Sequence, residues 1–286
     1  MMNLLTDIFC QKPKRETAMT TETHYDTQAA NSCYYQVQGS EVEIFNFAKT
    51  HDLPVLIKGP TGCGKTRFVE FMAESLGREL VTVSCHDDLT AADLLGRHLV
   101  SSEGTFWQDG PLTRAVRHGG ICYLDEIIEA RKDTTVVLHS LSDHRRELHL
   151  ERTGEVIKAH KDFMLVVSYN PGYQNMMKGL KPSTRQRFVA MSFDYPSPEQ
   201  EAEILVHEAG ITTELAHTLV KLGADIRRLS DIDLKAAVST RLLIYAAKMM
   251  SSGCHAQMAC LHCIIEPLTD EKQTIEALTQ LVNAHF

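Results

Sequence analysis

Two hydrophobic patterns alternate along the chain from residue 34 to residue 195. Short runs that are apolar throughout stand between longer stretches in which apolar residues recur every third or fourth position. The short runs, at residues 55–58, 80–84, 121–124, 163–168 and 189–193, predict β-strands. Because a strand with no polar side is buried on both faces, we predict a parallel sheet covered by helices on both sides, which is an α/β doubly wound core.

The strand-like runs end at Pro196 and Pro198. Beyond them only helical periodicity is found, at residues 199–208, 213–222, 240–250, 257–265 and 270–284. Residues 1–33 are polar and show no pattern, which is typical of a disordered segment. We therefore predict a disordered leader over 1–33, an α/β core over 34–195 and a small α-helical domain over 196–286.

Composition restricts the function further. The 286 residues carry a formal net charge of −8, which disfavours binding to nucleic acid because phosphates need a basic surface. No apolar stretch approaches the ~20 residues of a membrane span. The start of the chain lacks the order of basic and apolar residues found in a secretory signal. These features predict a cytoplasmic protein without a membrane span.

Eight cysteines are spread over the whole chain, which is typical of reduced thiols in the cytosol. One close pair, Cys260 and Cys263, has the C-x-x-C spacing. The pair is either half of a zinc or redox site, with His262 and the segment Cys254-His255, or two small apolar side chains on one face of a buried helix. We favour the second interpretation because the sequence has no other C-x-x-C.

A glycine-rich turn lies between the first predicted strand and a predicted helix at residues 67–76. It fits the motif G-x-x-x-x-G-K-[ST] in the strand-to-helix context that this motif requires. Its residues are Gly59, Pro60, Thr61, Gly62, Cys63, Gly64, Lys65 and Thr66. In such a P-loop the backbone N–H groups and the helix N-terminus hold phosphates, the lysine reaches the β- and γ-phosphates, and the hydroxyl ligates Mg²⁺. We therefore predict that this loop binds ATP.

Two adjacent carboxylates, Asp125 and Glu126, follow the apolar strand at residues 121–124. Such a pair alone is often a solvated strand end, but downstream of a P-loop it has the Walker B arrangement. Asp125 then holds Mg²⁺ together with Thr66, and Glu126 orients or deprotonates the attacking water. The sequence therefore predicts hydrolysis of ATP by water.

Three further polar residues are candidates for the same site. Asn170 follows the predicted strand 163–168 and is either a group that reads the γ-phosphate or a turn residue before proline. Arg185 and Arg187 precede the last predicted strand. Arginine near a γ-phosphate stabilises the charge of the transition state, and surface salt bridging is the alternative.

Two segments between these motifs predict β-hairpins. The first pairs residues 94–100 with 104–107 and interrupts a helix that opens at Asp87-Asp88. The second pairs residues 146–152 with 153–157 and has Gly154 in its turn. Phe106 and Trp107 in the first hairpin either contact a partner or pack in a core, since aromatic side chains bury well.

Together, the P-loop, Leu124-Asp-Glu126, Ser168-Tyr-Asn170 and the stretch Thr184-Arg-Gln-Arg-Phe188 resemble the MoxR branch of the AAA+ ATPases. The resemblance covers nearly all of residues 34–286. It implies a sheet ordered 5-1-4-3-2, a helical lid, and a homo-oligomeric ring, usually a hexamer, with ATP at the subunit interfaces. It also implies that the hairpins are pore or partner-contacting elements.

Residue roles follow from the same resemblance. Asn170 takes the sensor-1 position, and Arg241 in Ser239-Thr-Arg241 takes the position of the lid's sensor-2 arginine. Arg187, with Arg185 as a second candidate, acts as a finger that enters the site of the neighbouring subunit.

Within this branch the chain looks most similar to the subgroup named CbbQ, NorQ and NirQ. The stretches that carry this likeness are residues 85–99, 145–155 and 178–190. Members of the subgroup act with a partner that carries a von Willebrand factor A domain, on either nitric oxide reductase or Rubisco as the client. The same stretches resemble the nitric oxide reductase members more, which implies activation of that enzyme in denitrification.

Three rival functions use the same motifs. A small-molecule kinase predicts a polar, arginine-rich acceptor lid, which the helical C-terminal part does not resemble. A nucleotide-dependent adaptor predicts that Glu126 is dispensable. A DNA-acting AAA+ protein is disfavoured by the acidic net charge.

Overall fold

The computed structural model describes residues 33–102, 104–171, 180–230 and 237–286. Nearly all of the predicted leader, residues 1–32, lies outside this part of the chain. None of the described helices is both long and apolar enough to cross a membrane.

A parallel five-stranded sheet forms the centre of the described chain. Its strands are β1 (Val55–Lys58), β2 (Leu80–Ser84), β5 (Gly120–Asp125), β8 (Phe163–Tyr169) and β9 (Val189–Ser192). They lie in the order β2-β5-β8-β1-β9. Numbered among themselves and viewed from the other edge, the strands have the order 5-1-4-3-2, so the expected topology is confirmed.

Both faces of the three central strands, β1, β5 and β8, are buried, which explains why their sequences have no polar side, whereas the edge strands β2 and β9 are partly exposed. Alternate residues of β5 point to opposite faces. Tyr123 joins the cluster of Phe45 and Phe68, which belong to α1 (Glu41–Thr50) and α2 (Lys65–Ser75). Leu124 joins the opposite cluster with Leu112 of α4 (Pro111–His118). The carboxyl ends of the strands are thereby fixed at one edge, beside the start of α2.

Two antiparallel hairpins extend from the core, as predicted. The elements between the sheet strands are α3 (Ala91–Leu95), β3 (Gly96–Ser101), β4 (Gly104–Asp109), α5 (Lys132–Val137), β6 (Glu147–Leu150), β7 (Glu155–Lys158) and α6 (Pro182–Arg185). The first hairpin, β3 and β4, separates α3 from α4 and so interrupts a helix. Gly154 has a φ of +70° and lies in the turn of the second. Trp107 packs against the core while Phe106 is 48% exposed, so the core interpretation holds for Trp107 alone.

The helix before the first hairpin begins at Ala91, with Thr90 as its N-cap, and the predicted start at Asp87-Asp88 is wrong. The Thr90 hydroxyl accepts a hydrogen bond from the backbone N–H of Asp93, and the Asp93 carboxylate accepts one from the Thr90 N–H at 3.0 Å. This reciprocal capping box satisfies two N–H groups of the first turn. The cap, and not the upstream acidic pair, therefore sets where α3 begins.

The C-terminal part is helical and has an apolar core of its own. Its helices are α7 (Pro198–Ala209), α8 (Thr213–Ser230), α9 (Thr240–Ser251), α10 (Ala256–Cys260), a π-helical turn (Leu261–Ile265) and α11 (Lys272–His285). Helix α8 is longer than predicted because it continues through Gly223, where a side chain would come within 3.0 Å of Leu243 on α9. The glycine here permits close helix packing and does not end the helix.

Cys260 is fully buried in this helical core, and burial raises the pKa of its thiol to about 12. Among the described residues, no cluster of three or more His, Cys, Asp and Glu side chains is arranged to hold a metal ion. These observations support the interpretation of Cys260 and Cys263 as apolar packing residues.

Candidate nucleotide-binding and hydrolysis site

The glycine-rich loop connects the end of β1 to the first turn of α2. Gly62 and Gly64 have φ values of +72° and +98°, a region in which residues with a side chain are strained. Gly64 is the N-cap of α2. The N–H groups of the first helical turn therefore lie at the mouth of the loop, where they attract an anion.

Lys65 is buried against this loop and has only 6% of its surface exposed. Its ammonium group donates to the carbonyl oxygens of Gly59 at 2.8 Å and Pro60 at 2.9 Å. A buried ammonium group needs hydrogen-bond partners of this kind. These bonds hold the charge inside the curve of the loop, which fits a phosphate group.

Asp125, at the end of β5, faces Thr66 at the start of α2. Oδ2 of Asp125 lies 3.5 Å from Oγ1 of Thr66. Oδ1 accepts a hydrogen bond from Tyr123 at 2.8 Å and another from Ser168. Burial, with the charge of Asp125 adding to it, raises the pKa of Tyr123, so its phenol stays protonated. A hydroxyl and a carboxylate that face each other are the oxygen ligands that Mg²⁺ prefers.

Glu126 has a left-handed backbone conformation, with φ +53° and ψ +50°, which is strained for a residue with a side chain. Its carboxylate accepts a hydrogen bond from the backbone N–H of Asn170 at 3.2 Å. Burial raises the pKa of Glu126, the charge of Asp125 raises it further, and Lys65 lowers it. A carboxylate held in this way is a suitable proton acceptor for water.

Asn170 links the end of β8 to the P-loop. It is 5% exposed, and its side-chain amide donates to Oγ1 of Thr61 at 2.8 Å. The structure thus brings together Asn170, Glu126 and the P-loop, as the sequence predicts for a site at the carboxyl edge of the sheet.

A cavity of about 740 Å³ lies between the P-loop, the acidic pair and the helical C-terminal part. Arg241, the predicted sensor-2 residue, lines it on the side of α9. A side chain at Gly62 would come within 2.5 Å of Ser239, the N-cap of α9. The start of α9 therefore lies directly on the P-loop, and this contact brings Arg241 to the cavity.

Several residues that line the cavity were not predicted. They are Tyr34, Tyr35, Gln36, Gln38, Arg67, Glu70, Glu129, Pro196, Ile204, Glu208, Thr240, Ile244, Tyr245 and Lys248. Tyr34 stacks on His207 with ring centroids 3.6 Å apart, and Tyr35 packs against Phe68 at 5.3 Å. Tyr34 and Tyr35 give one side of the cavity the apolar surface that a nucleotide base needs. The sequence signal that could have identified them is the pair of consecutive aromatic residues directly after the polar leader.

The two candidate finger arginines lie elsewhere. Arg187 donates to the carbonyl oxygen of His139 at 2.9 Å and forms an ion pair of 3.1 Å with Asp143. Arg185 is exposed at the end of α6. Neither is among the residues that line the cavity in the described chain. Within one chain they do not reach the site, and their role in a neighbouring site stays a prediction.

Fold and site together define a P-loop nucleotide-binding protein with a helical lid. Residues 54–188 match the AAA domain of the dynein-related subfamily, and residues 201–285 match the CbbQ/NirQ/NorQ C-terminal domain. The chain belongs to the CbbQ/NirQ/NorQ family of AAA+ ATPases, and it is an ATPase.

Relatives at high identity cover nearly the whole chain. The denitrification regulatory protein NirQ of Stutzerimonas stutzeri is 61% identical and covers 88% of this chain and 92% of its own length. Protein NorQ of Paracoccus denitrificans is 56% identical over 92% of this chain and 98% of its own length. Protein CbbQ of Hydrogenophilus thermoluteolus is 54% identical over 88% of this chain and 95% of its own length. A RuvB mutant structure from Thermotoga maritima is similar in fold, with a TM-score of 0.53 at 16% identity, covering 86% of this chain and 71% of that one.

Proposed function

We propose that this ATPase binds ATP with Mg²⁺ in the described cavity and uses hydrolysis to remodel a client enzyme. Thr66 and Asp125 hold the cation, and Lys65 neutralises the β- and γ-phosphates. Glu126 takes a proton from the attacking water, whose oxygen bonds to the γ-phosphorus as the bond to ADP breaks. Asn170 orients that water, and the lid contributes Arg241 to the phosphates.

We propose further that the active form is a homo-oligomeric ring, a hexamer, with each site completed by the next subunit. The observation that supports this is the position of Arg185 and Arg187 outside the cavity of their own chain. An arginine that reaches the γ-phosphate in related chemistry contributes roughly 10³–10⁵ in rate. The ion pair with Asp143 gives Arg187 a fixed direction, whereas Arg185 is the more exposed of the two.

Mixing two inactive variants tests this assembly. Glu126→Gln subunits keep the arginines, and Arg187→Ala subunits keep the hydrolytic carboxylate, so a mixed interface unites the intact halves. We expect each variant alone to be nearly inactive and the mixture to recover ATPase activity. Arg185→Ala tested in the same way separates the two candidates, and Arg152→Ala, an exposed arginine, is the matched control. An absence of recovery at every mixing ratio would show that the arginine acts within its own chain.

For the client, we propose nitric oxide reductase, activated in the cytoplasm together with a von Willebrand factor A domain partner and without nucleic acid. The name of the relative at 61% identity, the denitrification regulatory protein NirQ, refers to that process. Protein CbbQ, at 54%, is only slightly less similar, so activation of Rubisco is retained as the alternative.

A deletion strain separates these clients. We expect nitric oxide consumption by its membranes to fall while the reductase subunits are still present in normal amounts, because the defect lies in activation. The wild-type gene should restore consumption and the gene for Glu126→Gln should not. Purification of the Glu126→Gln protein with ATP should retain the partner. Unchanged nitric oxide consumption with reduced Rubisco activity would favour the alternative.

A further inference from the structure

Three polar side chains meet on one face of the sheet beside the predicted cation ligands. Tyr123 and Asp125 are two residues apart on β5, so their side chains point the same way. The neighbouring strand β8 pairs Val167 with Leu124, which places Ser168 beside Asp125. All three lie under the start of α2, where the oxygen of Thr66 is 3.5 Å from both Tyr123 and Asp125.

The hydrogen bonds of this group converge on one oxygen of the Asp125 carboxylate. An ionised carboxylate only accepts hydrogen bonds, and each hydroxyl has one proton to donate. Oδ1 of Asp125 lies 2.8 Å from the Tyr123 hydroxyl and is also bonded to the Ser168 hydroxyl. The Tyr123 hydroxyl also lies 3.0 Å from the Ser168 oxygen. The Ser168 proton therefore points at Oδ1, and Tyr123 holds Oδ1 either directly or through Ser168. The other oxygen, Oδ2, is left facing Thr66.

Ser168 also contacts the second carboxylate residue. Its oxygen accepts a hydrogen bond from the backbone N–H of Glu126 at 3.3 Å. Glu126 has the strained φ of +53°, so this bond helps to hold the turn that aims its carboxylate. One buried hydroxyl thus fixes the side chain of Asp125 and the backbone of Glu126.

We infer that Tyr123 and Ser168 are positioning residues that lock the Asp125 carboxylate with Oδ2 towards the cation, and that they set the affinity for magnesium with nucleotide. The inference rests on the magnesium binding proposed above. Without the two hydroxyls the Asp125 carboxylate rotates about its Cβ–Cγ bond. Part of the free energy of cation binding is then spent on fixing the orientation of the carboxylate.

Calorimetry of ADP binding tests this inference, with EDTA in one series and Mg²⁺ in the other. We expect Tyr123→Phe and Ser168→Ala each to lower the magnesium-dependent gain in ADP affinity about tenfold, as for loss of a hydrogen bond to a charged group. Their affinity for ADP in EDTA should stay within about twofold of the wild type, since the P-loop is unchanged. Ser168→Thr, which keeps a hydroxyl, should recover most of the gain.

Tyr169→Phe is the matched control, because Tyr169 is buried one residue further along β8 with its ring in the cluster on the opposite face of the sheet. Far-UV circular dichroism and Tm exclude a general loss of structure. If one variant fails to fold, the other decides the question.

The outcomes separate the two proposals. A wild-type protein with no magnesium-dependent gain contradicts magnesium binding itself. A normal gain in the wild type and an equal gain in Tyr123→Phe or Ser168→Ala overturns the positioning role alone. An equal loss in Tyr169→Phe also overturns it, because packing would then explain the effect.

Discussion

A buried ion pair in the helical part fixes the start of α9. The Glu201 side chain on α7 is 1% exposed and that of Arg227 on α8 is 17% exposed. The guanidinium group donates to both carboxylate oxygens, at 2.8 and 2.6 Å. Arg227 also donates to the carbonyl oxygen of Val238, and Thr240 donates to Glu201 at 2.6 Å. Both of these contacts hold the residues that lead into α9 and Arg241.

We predict that Arg227→Met destabilises the protein by about 3 kcal/mol, near the lower end for breaking a buried pair because Arg227 keeps some contact with water. The carboxylate of Glu201 would stay buried with Thr240 as its remaining donor among the described residues. The double variant Glu201→Leu/Arg227→Met removes both charges and should recover part of this loss. About 1 kcal/mol should remain for the hydrogen bonds to α9.

Urea unfolding followed by far-UV circular dichroism measures these differences. Arg228→Met is the control, because Arg228 is the next residue, its side chain is 81% exposed and it forms an ion pair of 3.3 Å with Asp225. This substitution should cost less than about 1 kcal/mol. ADP affinity should fall in Arg227→Met as the start of α9 loosens. A loss below about 1 kcal/mol in Arg227→Met, or an equal loss in Arg228→Met, would refute the reasoning.

Three further predictions concern the site and the hairpins. Gly62→Ala should weaken ADP binding at least about tenfold, because the added methyl carbon would meet the start of α9 at 2.5 Å. Gly77→Ala is the control: Gly77 also has a positive φ but open space around it, so this variant should lose only about 1 kcal/mol of stability through backbone strain. Equal ADP affinities of the two variants would contradict this prediction. The raised pKa of Glu126 means that the folded state loses stability as pH rises through that pKa, so Glu126→Gln should raise Tm at about pH 8, with a gain that shrinks towards about pH 4. The ATPase activity of the wild type should rise over the same pH interval, because the ionised form of Glu126 accepts the proton. A gain in Tm of Glu126→Gln that does not depend on pH would contradict the predicted effect on stability. Arg117 pairs with one carboxylate of each hairpin at 2.7 and 2.6 Å, so Arg117→Gln should shift the emission of Trp107 and speed amide exchange in both hairpins, while costing under about 1 kcal/mol; unchanged exchange would argue against this link.

The three central strands were predictable because burial on both faces leaves a simple mark in the sequence. Residues 55–58 and 80–84 were predicted as strands with the bounds that the structure has. The P-loop and the acidic pair were equally clear, since each lies in a fixed position relative to a strand or helix. The order of the strands in the sheet was predicted from the family resemblance, because hydrophobic periodicity does not specify which strands are neighbours.

Other parts of the site depend on contacts between segments far apart in the sequence. Tyr34 stacks on His207, and Ser168 bonds to the residues that end β5. Nothing in the local pattern around Ser168 distinguishes it from an ordinary small residue in a buried strand. Gly223 looks like the end of a helix, and only the packing of α9 against α8 shows why the helix continues.

Thr61 connects the nucleotide site to the helical lid. Its hydroxyl accepts a hydrogen bond from Asn170 at 2.8 Å, and its carbonyl oxygen lies 3.4 Å from the Tyr195 hydroxyl. The ring of Tyr195 is covered by the guanidinium group of Arg227, 4.2 Å from its centre, and Arg227 is the residue that holds the approach to α9. We expect that release of a phosphate from the P-loop changes the contacts of Thr61 with both Asn170 and Tyr195, and so acts on the loop and the lid together. A contiguous set of side chains of this kind is one physical route by which a local change of charge can act on a whole helical element.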